Sequence, residues 1–208
     1  MNQKTLVMVS WNRLAFSPAG DLVAAPDGAG IDVRAFPDME EPVTTIGHSA
    51  ATRLVANLAN GHIVTVGGTP RVILWDMSTT TPIWQLPEYD PQYPYCDKPQ
   101  QVAVLPNLNL MALGFQSRRI EIWEMTKRER RSTISLTTDQ FPTAMEFSPD
   151  GTLLAYGDID GSVLIFDVRS GRTLQHWPAP EDTGHEAIRS LVWSADSGTV
   201  IAANAMRV

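Results

Sequence analysis

Cysteine, positive charge, long apolar runs and helical periodicity are all scarce in this 208-residue chain. The single cysteine, Cys96, rules out an internal disulfide or a thiol-rich zinc site, and suits a reducing compartment. Lys and Arg total 16 against 23 Asp and Glu, so the net charge is −7. A general binder of the nucleic-acid backbone carries a basic stripe instead. The apolar run Leu6-Val7-Met8-Val9 is too short for a signal peptide or a membrane span, and no small-residue cleavage pattern follows it. No window holds apolar residues at i, i+3, i+4 and i+7 over three turns, and Gly or Pro interrupts nearly every stretch long enough to try. The expectation is a cytoplasmic, all-β protein with no nucleic-acid and no membrane partner.

What the chain has in abundance is one short strand pattern. Arg71-Val72-Ile73-Leu74-Trp75-Asp76 is a β-branched and aliphatic run that ends in an aromatic and an acid. The pattern returns as Arg119-Ile120-Glu121-Ile122-Trp123-Glu124 and as Ser162-Val163-Leu164-Ile165-Phe166-Asp167. A weaker version, Ile31 to Phe36, precedes them. The aromatics at 36, 75, 123 and 166 stand 39, 48 and 43 residues apart, a period that suits one four-stranded propeller blade per repeat.

Each repeat divides into strands a to d. Turns such as Asn60-Gly61 and Ser148-Pro149-Asp150-Gly151 separate them, with glycine supplying the positive φ that a tight hairpin needs. The repeats fall at about 11–47, 48–87, 100–137 and 142–178, and a fifth, 184–208, reaches only its second strand. The charge run Lys127-Arg128-Glu129-Arg130-Arg131 reads as a solvated connection between strands c and d. The expected architecture is a single propeller domain over 1–208 with about four and a half blades visible. It is a fragment or incomplete ring, a small ring latched by Thr5 to Val9, or a ring that self-association or further repeats complete. An uncovered edge of the fifth blade is an aggregation hazard, which favours an incomplete ring.

Trp75-Asp76, Gly47-His48, Gly184-His185 and the Ser-Pro-Asp-Gly turn at 148–151 together resemble the WD-repeat family of β-propellers, over almost the whole chain from about Arg13. The resemblance implies a structural network of a Gly-His histidine, a strand-b Ser or Thr, the strand-c Trp and an Asp in the b–c turn. Carried over by position, His48, Thr65 and Trp75 fill three of these places in the second repeat, with Thr69 where the Asp is expected. The third keeps Trp123 and the fourth keeps Asp160, with Tyr156 and Phe166 at the Thr and Trp places; His185 opens the fifth. The blades are therefore expected to depend on apolar packing more than on this network.

Catalytic constellations are not evident. None of His48, His62, His176 and His185 lies near a Gly-x-Ser-x-Gly elbow. Asp158-Ile159-Asp160-Gly161 starts like a calcium loop, but its glycine comes too early and Arg169 stands at the twelfth position. Gly28-Ala29-Gly30 lacks the third glycine of a phosphate cradle. No cofactor, metal ligand or enzymatic activity is expected.

The segment from Pro87 to Pro99 holds Tyr89, Tyr93 and Tyr95 among prolines. It suits either a recognition surface or a loop folded over its own blades. Arg71, Arg118 and Arg119 flank b–c turns on the same expected face, either at a binding hot spot or merely solvated. The resemblance and this loop point to a non-catalytic protein–protein scaffold that docks a protein partner on the face of b–c and d–a connections. A sensor or regulatory domain of a larger signalling protein is the alternative. A propeller hydrolase or lyase fits less well, because candidate inner strands such as Val102 to Leu105 are apolar.

Overall fold

The computed structural model describes residues 15–16, 20–27, 30–38, 42–47, 54–57, 61–67, 72–77, 79–86, 98–136, 141–179 and 186–204. These divide between two compact units, 1–88 and 89–208. Among the described residues there is no α-helix, and no helix is long and apolar enough to cross a membrane.

Unit 1 contains two antiparallel four-stranded sheets. The first runs in order β1 (Ala15–Phe16), β2 (Leu22–Asp27), β3 (Gly30–Ala35), β4 (Pro42–Gly47). The second is β5 (Leu54–Asn57), β6 (His62–Val66), β7 (Val72–Asp76), β8 (Thr81–Gln85). Ile31 and Val33 from the first sheet pack with Ile63, Ile73 and Trp75 from the second.

Unit 2 repeats the plan. Its sheets are β9 (Pro99–Leu105), β10 (Leu110–Phe115), β11 (Arg119–Glu124), β12 (Glu129–Ser135), then β13 (Pro142–Phe147), β14 (Leu153–Asp158), β15 (Val163–Asp167), β16 (Thr173–Trp177). A two-stranded sheet follows, β17 (Ile188–Trp193) with β18 (Val200–Asn204). The first strands β9, β13 and β17 lie side by side, so successive sheets meet face to face. Ile120, Ile122 and Ile134 bury against Leu154, Tyr156, Phe166 and Val168, and Ile165 and Ala155 bury against Ile188 and Leu191. Each such large side chain, fully buried, contributes about 1.5–3 kcal/mol.

Two expectations need correction. The aromatic of the first repeat was placed at Phe36, but β3 ends at Ala35 and Phe36 lies in the following turn, exposed, edge-on to Phe16 with centroids 5.4 Å apart. In the other sheets a β-bulge against the fourth strand falls just before Trp75, Trp123 and Phe166. In the first sheet it falls between Val33 and Arg34, so Arg34 holds the aromatic's place. The pattern of apolar residues did not reveal a two-residue offset because Phe36 also follows a strand. The charge run at 127–131 is only half a connection, since β12 begins at Glu129 and carries Arg130 and Arg131 into the sheet edge. Charged side chains on an exposed edge strand are compatible with the ladder because only backbone groups pair.

The last two a–b turns of unit 2 share one wiring. Ser148 Oγ donates to Asp150 Oδ1 (2.6 Å) and accepts from the Leu153 amide (2.9 Å). Ser194 Oγ does the same with Asp196 Oδ1 (2.5 Å) and the Thr199 amide (2.9 Å). The turns are also joined from sheet to sheet, the Asp150 amide donating to Ser197 Oγ at 3.2 Å.

Gly157 on β14 lies close against the next sheet. A Cβ there would sit 2.6 Å from both Cβ and Cγ2 of Ile188, stiff β-branched atoms within two bonds of the backbone. Gly157→Ala is therefore expected to lower stability by about 1–3 kcal/mol through overpacking, read as a lower midpoint in urea with unchanged slope. Asp150, Asp167 and Asp196 all have pKa values held below the ordinary 3.8, first by the serine hydroxyls at Ser148, Ser170 and Ser194. A carboxylate with a depressed folded pKa stabilises the fold above its unfolded pKa and loses that contribution as pH falls through the folded value. Replacing all three by Asn should lower the melting temperature near neutral pH, and the gap to the parent should close as pH drops below 3.8.

Candidate functional site

Antiparallel order puts the b–c turns and the d–a ends at the same end of each sheet. In the third blade the Gln116 amide donates to the Lys98 carbonyl (3.2 Å) and the Leu136 amide to the Arg118 carbonyl (2.8 Å), tying entry, b–c turn and exit together. In the fourth, the Ile159 amide donates to the Phe141 carbonyl at 3.3 Å.

Arg118 and Arg119, adjacent in sequence, part company here. Arg118 is exposed at the turn with a left-handed φ of 61°. Arg119, 5% exposed, points into the sheet face. Its Nε donates to Glu121 Oε1 (3.0 Å), its Nη1 to Ser117 Oγ (2.6 Å), and its guanidinium lies 3.9 Å over the Phe115 ring. Glu121, buried, also accepts from Arg130 Nη1 at 3.0 Å and from the Trp123 indole at 3.0 Å. Two guanidinium groups and an indole N–H thus satisfy one interior carboxylate, which is the condition for tolerating it there. Arg71, Tyr89, Tyr93, Tyr95, His48 and His185 lie outside the described residues.

The strand-c aromatics are held differently from blade to blade. The Trp75 indole donates to Thr65 Oγ1 at 2.9 Å, both residues being buried. In the third blade Leu113 stands opposite Glu121 where Thr65 stands opposite Ile73, and Glu121 supplies the acceptor from Trp123's own strand. Tyr156 and Phe166 meet edge to face at 6.3 Å. In the first blade Arg34 pairs with Asp32 at 3.0 Å, the same two-residue step as Trp123 and Glu121.

In the b–c turn at 158–162 the buried carboxylate is Asp158, and Asp160 is half-buried beside it. Asp158 Oδ1 accepts from the amides of Asp160 (3.0 Å) and Ser162 (2.9 Å), and Oδ2 is buried with no hydrogen-bond partner. The turn is thus closed on its own backbone. Among the described residues no group of three His, Cys, Asp or Glu is placed to hold a metal ion.

Sequence reasoning passed over the exposed apolar groups at this end of unit 2. Phe141 is 41% exposed, Ile159 44% and Trp177, paired with Val163 at the top of β16, 47%. The signal available was a large apolar residue beside a turn, Ile159 between two aspartates.

Four-stranded antiparallel sheets set side by side through their first strands are built like the blades of WD-repeat β-propellers. Residues 102–196, just under half of the chain, match the family model described as the anaphase-promoting complex subunit 4 WD40 domain. The chain is 24% identical over 186 residues to a guanine nucleotide-binding protein subunit beta of Nicotiana plumbaginifolia, covering 82% of this chain and 48% of that one. It is 27% identical over 148 residues to the echinoderm microtubule-associated protein-like 2 of Mus musculus, covering 69% and 21%. The 77 kDa echinoderm microtubule-associated protein of Strongylocentrotus purpuratus is 28% identical over 149 residues, covering 69% and 20%. The chain thus spans about half of the first relative and about a fifth of the other two.

Removing the interior acceptor should expose its function in the fold. Glu121→Leu leaves Arg119 buried without its counter-charge and is expected to cost about 3–5 kcal/mol in equilibrium unfolding, whereas Lys127→Ala, which breaks an exposed pair with Glu124, should cost under about 1 kcal/mol.

Proposed function

We propose that the chain is a non-catalytic scaffold that docks a protein partner on the end of the blades carrying the b–c turns and d–a ends. The observation that carries this is the set of large side chains exposed there in unit 2: Phe141, Ile159 and Trp177, with Arg118 on the neighbouring blade. They stand on turns whose backbones are tied down, above sheets buried on both faces. Aromatic and arginine side chains on a rigid support lose little entropy on binding and dominate the energy of interfaces.

Two further points support the reading. Of the first strands of unit 2, Val102, Ala103, Ala144, Met145 and Leu191 are buried, while the charged Glu146 and Arg189 on the same strands are half-buried and exposed respectively. The similar proteins bear names that place them with others, a subunit of a guanine nucleotide-binding protein and microtubule-associated proteins. Tyr89, Tyr93 and Tyr95 in unit 2, and separately Arg71 in unit 1, are proposed partner-binding residues by their place in the sequence, and Arg119 contributes by fixing the turn that presents Arg118. No nucleic-acid, membrane or cofactor role is proposed, and the single cysteine accords with a cytoplasmic setting.

The test compares proteins retained by the intact chain with those retained by a Phe141→Ser, Ile159→Ser variant and by an Arg118→Ala variant, each checked for an unchanged melting temperature. Retention of a specific partner should fall roughly tenfold or more in the double variant and by less in the single one. Equal retention by folded variants would remove this end of the blades from consideration.

A further inference from the structure

The opposite ends of the same sheets carry charge that the interior does not use. The c–d hairpins of unit 2 lie at 125–128 and 168–172. Residues 127–131 and 169–172 together hold Lys127, Arg128, Arg130, Arg131, Arg169 and Arg172, six of the chain's 16 basic residues, in a chain of net charge −7. Lys127 is paired with Glu124 at 3.2 Å, and Arg130 with Glu121 at 3.0 Å. Arg128, Arg131, Arg169 and Arg172 are exposed, and their side chains make no ion pair or hydrogen bond among the described residues. Asp167, whose carboxylate feels the charge of Arg169, is hydrogen-bonded instead by the Ser170 amide and hydroxyl, each at 2.6 Å.

The two hairpins are neighbours. Ile134 of β12 shares a core with Val168 of the second hairpin, and a Cβ on Gly171 would lie 3.3 Å from Ile134 Cγ1. Their geometry differs at one telling place. Gly171, four residues after Asp167, takes a left-handed φ of 70°, as suits a residue without Cβ. Its counterpart four residues after Glu124 is Arg128, with φ 59°. A long side chain at a left-handed position is unfavourable by itself, so the local backbone gives no reason for arginine there.

We propose that these two hairpins form an anion-recognising surface for an acidic segment of another protein, its carboxylates gripped by Arg128, Arg131, Arg169 and Arg172. Planar guanidinium groups fit carboxylates with two parallel hydrogen bonds, and a sparse local set of them in an acidic molecule suits a short acidic segment better than a long polyanion, which the overall negative field repels. The surface lies at the other end of the sheets from Arg118, Phe141 and Ile159, so it stands or falls independently of the docking end proposed above.

The probe is a short fluorescent peptide of alternating Asp and Glu, titrated with the full chain at low ionic strength and followed by anisotropy. Saturable binding that weakens as salt is raised is expected. Arg169→Gln with Arg172→Gln, and Arg128→Gly with Arg131→Gln, should each weaken it roughly three- to tenfold, while Arg118→Gln binds as the parent does. Arg128→Gly alone provides a control of opposite sign: it relaxes the backbone, so the melting temperature holds or rises while peptide affinity falls. The proposal is overturned by absence of saturable binding to the parent chain, by equal binding in the arginine variants, or by a single-stranded oligonucleotide of matching charge binding as tightly as the peptide.

Discussion

A β-sheet that is apolar on both faces has to be covered on both, and that requirement organises this molecule. Ile122 and Ile134 on one sheet meet Leu154 and Phe166 on the next, and that sheet's other face, through Ala155 and Ile165, meets Ile188 and Leu191. The spacing is set by what is small. Ala103, Ala112, Ala144, Ala155 and Gly157 on the first and second strands let successive sheets approach, while Phe115, Phe147 and Tyr156 on those strands and Trp123 and Phe166 on the third fill the space between. Wedge-shaped packing of this kind fixes sheet against sheet without any one indispensable contact.

Within that frame the place just after the bulge on each third strand is filled in four ways. Thr65 holds Trp75, Glu121 holds Trp123, Tyr156 abuts Phe166, and Asp32 holds Arg34. The bulge is common to all four, because it accommodates the strong twist of the outer strand. The side chain is not common. What the position requires is bulk with its polar atoms satisfied, and Glu121 meets that demand at the expense of burying a charge, which two arginines then neutralise.

The same frame separates the two ends of the sheets. Connections at one end are pinned by backbone hydrogen bonds such as Leu136 to Arg118 and Ile159 to Phe141, leaving apolar and aromatic side chains outward on a rigid base. At the other, serine and aspartate close the a–b turns at 148–153 and 194–199, and the c–d hairpins of unit 2 gather exposed arginine. The two ends of the sheets in unit 2 are thus chemically distinct.

From the sequence alone came the repeat length, the strand content, the turn at 148–151 and the likeness to WD repeats, because strand propensity, turn chemistry and period are written in neighbouring residues. The likeness to WD repeats also implied the link of Thr65 to Trp75 and set Tyr156 and Phe166 at the corresponding places. Only the tertiary structure decided that Arg34 and not Phe36 fills the aromatic's place, that Arg119 turns inward while Arg118 turns outward, that Asp158 is the buried acid of its turn, and that two arginine-bearing hairpins become neighbours. Each of these depends on where a bulge shifts the register, or on which distant strand supplies the facing surface. A local pattern of residues does not encode either, because burial is a property of the assembled sheets.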